Sequence, residues 1–237
     1  MIRSLVTLLS LTVAACAGSD APAVADGSGS DSTMVVATGA RVPSKSGPRV
    51  VFLGTSITAG LGLEREAETY VSVLAELADS AGRPFQAINA GVSGETSAGG
   101  LRRLDWILRE PLDVLVIELG GNDGLRGQSP DAMADNLTEI IRRTRTRYPD
   151  ALFVVAGMEA PPNLGEAYTS AFRAVFPTVA AAEGAVLVPF LLDGVAGVPE
   201  LNQDDRIHPT PEGHRRIAST VWPILRDVLD TLPEEGS

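Results

Sequence analysis

The sequence predicts an α/β fold, a three-layer α/β/α sandwich around a five-stranded, mostly parallel sheet. Three observations carry that expectation. Short apolar runs alternate with longer segments whose apolar residues recur at helical spacing, and the alternation repeats five times. The apolar runs are nearly continuous rather than alternating, as strands buried on both faces require. Residues able to do chemistry cluster just past the carboxyl ends of these runs, the edge where open parallel sheets bind ligands.

Taken in order, Arg49 to Gly54 (RVVFLG) is the first strand, closed by glycine. Glu66 to Ser80 carries Tyr70, Val73, Leu74 and Leu77 at helical spacing. Phe85 to Asn89 is a short strand, and Ser97 to Arg109 a helix with Leu101, Leu104, Ile107 and Leu108 on one side. Leu112 to Leu119 (LDVLVIEL) is the clearest strand. Pro130 to Arg147 is a helix that buries Met133, Leu137, Ile140 and Ile141 and turns Arg142, Arg143 and Arg145 to solvent. Ala151 to Gly157 is a strand, Tyr168 to Glu183 a helix, and Ala185 to Val188 the last strand. Thr210 caps a final helix with Pro211 at its first position.

The amino-terminal region reads differently. Arg3 followed by the apolar run Leu5 to Val13 has the form of a secretory signal, too short to span a bilayer. Val13-Ala14-Ala15-Cys16 resembles the lipobox of bacterial lipoproteins, which implies cleavage after residue 15 and lipid on Cys16, the only cysteine. The competing reading is an ordinary secretory peptide cut near the same small residues. Ala17 to Pro48, rich in Ala, Gly, Ser and Asp, is expected to be a flexible tether. The folded domain is expected over residues 49–237, outside the cytoplasm, as a monomer held at the membrane by its anchor.

A net charge of −11 repels phosphate backbones and anionic lipid alike, which argues against nucleic-acid binding and electrostatic membrane adhesion. With two histidines and no thiolate beyond Cys16, no metal and no cofactor is expected.

The two histidines also limit the chemistry. His208 lies in the polar loop Asn202 to Pro209, with Asp205 three residues before it and Asp204 as a competing carboxylate. A carboxylate on one imidazole nitrogen sets the tautomer and stabilises the imidazolium formed when a serine gives up its proton. His214, beside Arg215 and Arg216, reads as part of a solvated helix face. Ser56 follows the first strand, where a capping role is equally open and Thr55 and Thr58 offer further hydroxyls. Gly54-Thr55-Ser56-Ile57-Thr58 lacks the second glycine of the Gly-x-Ser-x-Gly elbow, so the common α/β-hydrolase fold is not supported. Asn122, in Gly120-Gly121-Asn122-Asp123, suits either a turn or an oxyanion donor.

These segments together resemble the SGNH (GDSL-type) hydrolases. Gly54-Thr55-Ser56, Asn89-Ala90-Gly91-Val92-Ser93-Gly94, Gly120-Gly121-Asn122-Asp123 and Asp205-Arg206-Ile207-His208-Pro209 match the family's four blocks in order. The resemblance implies the family's flavodoxin-like fold. It further implies Ser56 as nucleophile, Asp205 and His208 completing the triad, and an oxyanion hole from Ser56, Gly94 and Asn122. Gly120 to Gly127, Asn163 to Tyr168, and Glu95-Thr96-Ser97 followed by Gly100 to Leu104 are similar to the bacterial thioesterase/lysophospholipase/arylesterase branch, which implies aryl esters, acyl thioesters or lysophospholipids as substrates. The same motifs occur in carbohydrate O-deacetylases, and a binding protein on an inactive hydrolase scaffold is the reading from another class. The loops Met158 to Leu164 and Leu191 to Leu201 are the expected pocket walls. One departure stands out: Thr55 replaces the family's usual aspartate before the serine, which is expected to alter loop hydrogen bonding or pH response rather than abolish activity.

Overall fold

The computed structural model describes residues 47–233. The expected signal segment, Cys16 and the tether up to residue 46 lie outside the described residues, as do the last four.

Five parallel strands form one sheet: β1 (Arg49–Gly54), β2 (Gln86–Gly91), β3 (Val114–Glu118), β4 (Leu152–Ala156) and β5 (Val186–Val188). Their spatial order is β2-β1-β3-β4-β5. The chain therefore runs outward from β1 to β2, then crosses back to β3 on the other side of β1. Between β1 and β3 the strand order reverses, and the carboxyl ends there open a crevice. Gly54 of β1 pairs in register with Gly91 of β2 and with Glu118 of β3, so the three turns carrying the sequence blocks emerge side by side.

The central strands are buried almost throughout, with Val50 to Gly54 and Val114 to Glu118 sealed from solvent. Each such Val, Leu or Ile contributes about 1.5–3 kcal/mol by leaving water. The helices α2 (Tyr70–Ser80) and α7 (Pro211–Asp230) pack together, and α3 (Ser97–Ile107), α5 (Pro130–Arg147) and α6 (Glu166–Glu183) pack in series. The expected three-layer α/β/α arrangement is the one observed.

Local sequence sets the helix starts. Thr69, Thr96, Ser129 and Thr210 accept from backbone N–H groups three residues ahead, with Pro130 and Pro211 at first positions. Thr69 explains one boundary difference. The segment expected to be helical from Glu66 opens with a 3₁₀ turn over Glu66–Glu68, and α2 begins after Thr69. A second difference matters more. The Asn-Asp-Gly stretch, open to a turn reading, forms a short helix α4 (Gly121–Leu125). The segment after β3 is thereby helical where it faces the crevice. Arg142, Arg143 and Arg145 stay on the solvent side of α5, where Arg142 and Arg145 also pair with the buried Glu183 of α6 and Arg143 pairs with Glu139.

A candidate active site at the carboxyl edge of the sheet

Ser56 is the first residue of the short helix α1 (Ser56–Ala59), immediately after β1 and its Thr55 cap. Its Oγ lies 2.8 Å from His208 Nε2. His208 Nδ1 lies 2.6 Å from Asp205 Oδ2. Because Asp205 is acceptor-only, Nδ1 carries the proton and donates it. Nε2 is then left to accept from the serine hydroxyl.

Asp205 is held by its own loop. Its Oδ1 accepts from the N–H of Ile207 at 2.9 Å and of His208 at 3.0 Å. These bonds, with that to the His208 ring first among them, hold its carboxyl down to about 2. Asp205, not its competitor Asp204, is the carboxylate on the ring. Arg206 takes a left-handed backbone, φ 59°, to close the turn between them. The loop is stapled at its base by Gln203 N–H to the His208 carbonyl, 2.8 Å, and the Gln203 side chain reaches the Leu61 carbonyl beyond α1 at 2.8 Å. Histidine loop and serine turn are thus joined directly.

Gly94 and Asn122 approach the serine from the other side. Gly94 has φ +76°, and a Cβ there would meet nothing closer than 3.7 Å, so the backbone angle rather than space calls for glycine. Arg126, just after α4, donates to the Gly94 carbonyl at 2.9 Å. Asn122 Nδ2 donates to the Glu95 carbonyl at 3.0 Å. That bond fixes the amide plane and uses one of its two N–H groups. Glu95 is itself paired with Arg103, which also donates to the Ala90 carbonyl at 2.6 Å. Asp123, buried, accepts from Ser97 Oγ at 2.6 Å and ties α4 to the start of α3. Among the described residues no three His, Cys, Asp or Glu side chains are grouped as a metal site.

The structure brings all five predicted positions, Ser56, Asp205, His208, Gly94 and Asn122, to one edge, four of them lining a single cleft of about 350 Å³. The walls are mostly apolar. Leu61, Leu125 and Ile207 stand about half exposed at its mouth, and Met158 and Leu192 come from the two loops expected to form the pocket.

Sequence reasoning missed what lies beneath. Glu118, the last residue of β3, is fully buried. It accepts from Thr55 N–H and Thr58 Oγ1 at 2.8 Å each, from Thr55 Oγ1 at 2.9 Å and from Thr58 N–H at 3.3 Å. Burial pushes its pKa up, and these bonds pull it back. Its signal was present: one acid at the end of an otherwise apolar strand. The reading of His214 is corrected. It is buried among Ile217, Ala218 and Val221 on the inner face of α7, not solvated. Its Nδ1 accepts from Tyr70 N–H at 3.1 Å, and burial lowers its pKa to about 4.

Comparison with known proteins agrees with this geometry. Residues 52–216 match the model of the GDSL-like lipase/acylhydrolase family. Esterase TesA of Pseudomonas aeruginosa is 41% identical over 76% of this chain and 89% of that protein. Thioesterase 1/protease 1/lysophospholipase L1 of Escherichia coli K12 is 35% identical over 76% of this chain and 85% of that protein. The crystal structure of the psychrotrophic esterase EstA from Pseudoalteromonas, inhibited by monoethylphosphonate, superposes with a TM-score of 0.72 at 31% identity, covering 78% of this chain and all of that one. The chain belongs to the GDSL-like lipase/acylhydrolase family.

Proposed function

We propose that the chain hydrolyses carboxylic esters through an acyl-enzyme on Ser56. His208 Nε2 takes the hydroxyl proton as Ser56 Oγ attacks the ester carbonyl, and Asp205 stabilises the imidazolium that results. The N–H groups of Ser56 and Gly94 and the second N–H of Asn122 receive the oxyanion. His208 then gives its proton to the leaving alcohol or thiol. Water repeats the sequence on the acyl group, releasing the acid and restoring the serine. The observation that carries this reading is the hydrogen-bonded series Ser56–His208–Asp205 at the head of an apolar cleft.

The apolar walls favour acyl chains over an acetyl group on a sugar, and acyl thioesters, aryl esters or lysophospholipids fit this preference. Hydrolysis of p-nitrophenyl esters from acetyl to dodecanoyl, by the wild type and by Ser56→Ala, tests it. The expected result is activity extending beyond acetyl in the wild type and lost in the variant, roughly 10⁶-fold in kcat. Activity on acetyl alone points to a deacetylase, and none on any ester to a binding protein on a silent scaffold.

The amino-terminal reading, a signal peptide over residues 1–15 and a lipid anchor on Cys16 holding the domain outside the cytoplasm, is supported by the small residues before a lone cysteine. Labelled fatty acid incorporated by wild type but not by Cys16→Ser is the expected outcome; labelling of neither removes the anchor.

A further inference from the structure

The turn that presents Ser56 is built around a buried acid. Thr55 and Thr58 flank the serine on either side, and each offers Glu118 both its backbone N–H and its hydroxyl. Two of these four donors are amides that cannot turn away. Glu118 Oε2 accepts from both of them, and each Oε accepts from a threonine hydroxyl. A carboxylate, with no proton of its own, satisfies all four. There is no spare room: a Cβ on Gly54 would lie 2.0 Å from Thr58 Oγ1 and 2.6 Å from Glu118 Oε2. Glycine at the end of β1 is what lets the acid pass beneath the turn.

The cluster extends away from the serine. Thr58 Oγ1 is 2.8 Å from Tyr70 Oη, so the phenol donates to the hydroxyl that donates to Glu118. Tyr70 N–H donates to His214 Nδ1, and the two rings stack at 6.2 Å. His214 sits one turn into α7, whose cap Thr210 follows His208 by two residues. Thus β3, the serine turn, α2 and the helix that anchors the histidine loop are linked by buried polar contacts. Thr55, Thr58, Glu118, Tyr70 and His214 are all sealed from water.

We propose that Glu118 is a positioning residue for this esterase: by fixing the amides and hydroxyls of Thr55 and Thr58 it sets both the aim of Ser56 Oγ at His208 and the direction of the Ser56 N–H. The proposal rests on Ser56 being the nucleophile. It also gives Thr55 a reason. Its hydroxyl donates to Glu118 Oε1 at 2.9 Å, within the cluster that holds the turn. An error of about 1 Å in the reacting atoms costs on the order of 100-fold in rate, so a loosened turn should be read in kcat.

The test uses Glu118→Gln, which keeps one acceptor oxygen and the shape, and Glu118→Ala, which keeps neither. Active sites are counted with a p-nitrophenyl phosphonate that labels Ser56, and kcat per labelled site and KM are measured on p-nitrophenyl butyrate. The expected result is kcat per site down roughly 100-fold in Glu118→Ala and roughly 10-fold in Glu118→Gln, with KM within threefold of wild type. Partial recovery by glutamine is what a positioning role requires. Where Glu118→Ala does not fold, Glu118→Gln decides alone. A kcat per site within threefold of wild type in the folded variants overturns the proposal and leaves the serine esterase standing. Failure of the phosphonate to label Ser56 in the wild type overturns both.

Discussion

Two carboxylates flank the serine–histidine pair, and their surroundings push them in opposite directions. Asp205 lies on an exposed loop, its side chain 45% accessible, and hydrogen bonds hold it down to about 2. Glu118 lies under the serine turn with no access to solvent, and burial pushes its pKa up. In the proposed reaction Asp205 serves a proton that moves, so it needs charge and a direct bond to the imidazole. Glu118 meets no moving proton. It gathers four donors in a dry pocket, where an unpaired polar group would be costly. On the proposed reading, the carboxyl that takes part in the reaction stays at the rim, and the carboxyl that only holds the backbone is buried.

The sharpest way to break this contrast is Asp205→Asn. The amide keeps the shape but removes the charge and offers the ring an N–H where it needs an acceptor. The kcat on p-nitrophenyl butyrate is expected to fall roughly 10²–10⁴-fold, the upper figure being that of the equivalent change in a serine protease triad. Solvent near Asp205 sets the lower end. Asp205→Asn is expected to leave the melting temperature nearly unchanged. A large fall in melting temperature would show that the loop depends on its acid for folding.

His214 offers a smaller effect, on stability rather than rate. Folded, its pKa is lowered from 6.5 to about 4. Between those values the unfolded chain holds a proton that the folded chain does not, so stability rises with pH across that window. The contribution is fully present above 6.5 and fades as pH falls toward 4, by roughly 3 kcal/mol. Urea unfolding at pH 7 and pH 4.5 should show a smaller acid loss in His214→Gln than in the wild type. An equal loss in both proteins would remove His214 from the buried cluster's pH response.

Legibility in the sequence followed the range of the interaction. β1 and β3 are continuous apolar runs, and α5 and α7 carry a cap, a proline and an apolar stripe within a few turns. Asp205 and His208 are three residues apart on one loop, and their meeting is a local event. His214 was misread because its neighbours Arg215 and Arg216 are polar, although its spacing to Ile217 and Val221 placed it on the buried face. α4 was hidden because Asn-Asp-Gly also favours turns, and only its packing makes a helix of it. Glu118 stood in plain view in the clearest strand, but its partners Thr55 and Thr58 lie about sixty residues away.

By itself the sequence determined the fold class, the order of elements, and the serine, glycine, asparagine, aspartate and histidine to be considered. Hydrophobic period and capping are written within one or two turns of chain, and the blocks lie where β1, β2 and β3 end. Tertiary structure alone decided that β1 and β3 would be neighbours, so that Gly54 and Glu118 stand in register and an acid from one strand satisfies the turn of another. It also decided that Leu61, Leu125 and Ile207 would meet at the mouth of one cleft. A buried polar group must find its partners wherever the packing brings them, and no local pattern in the chain records where that is.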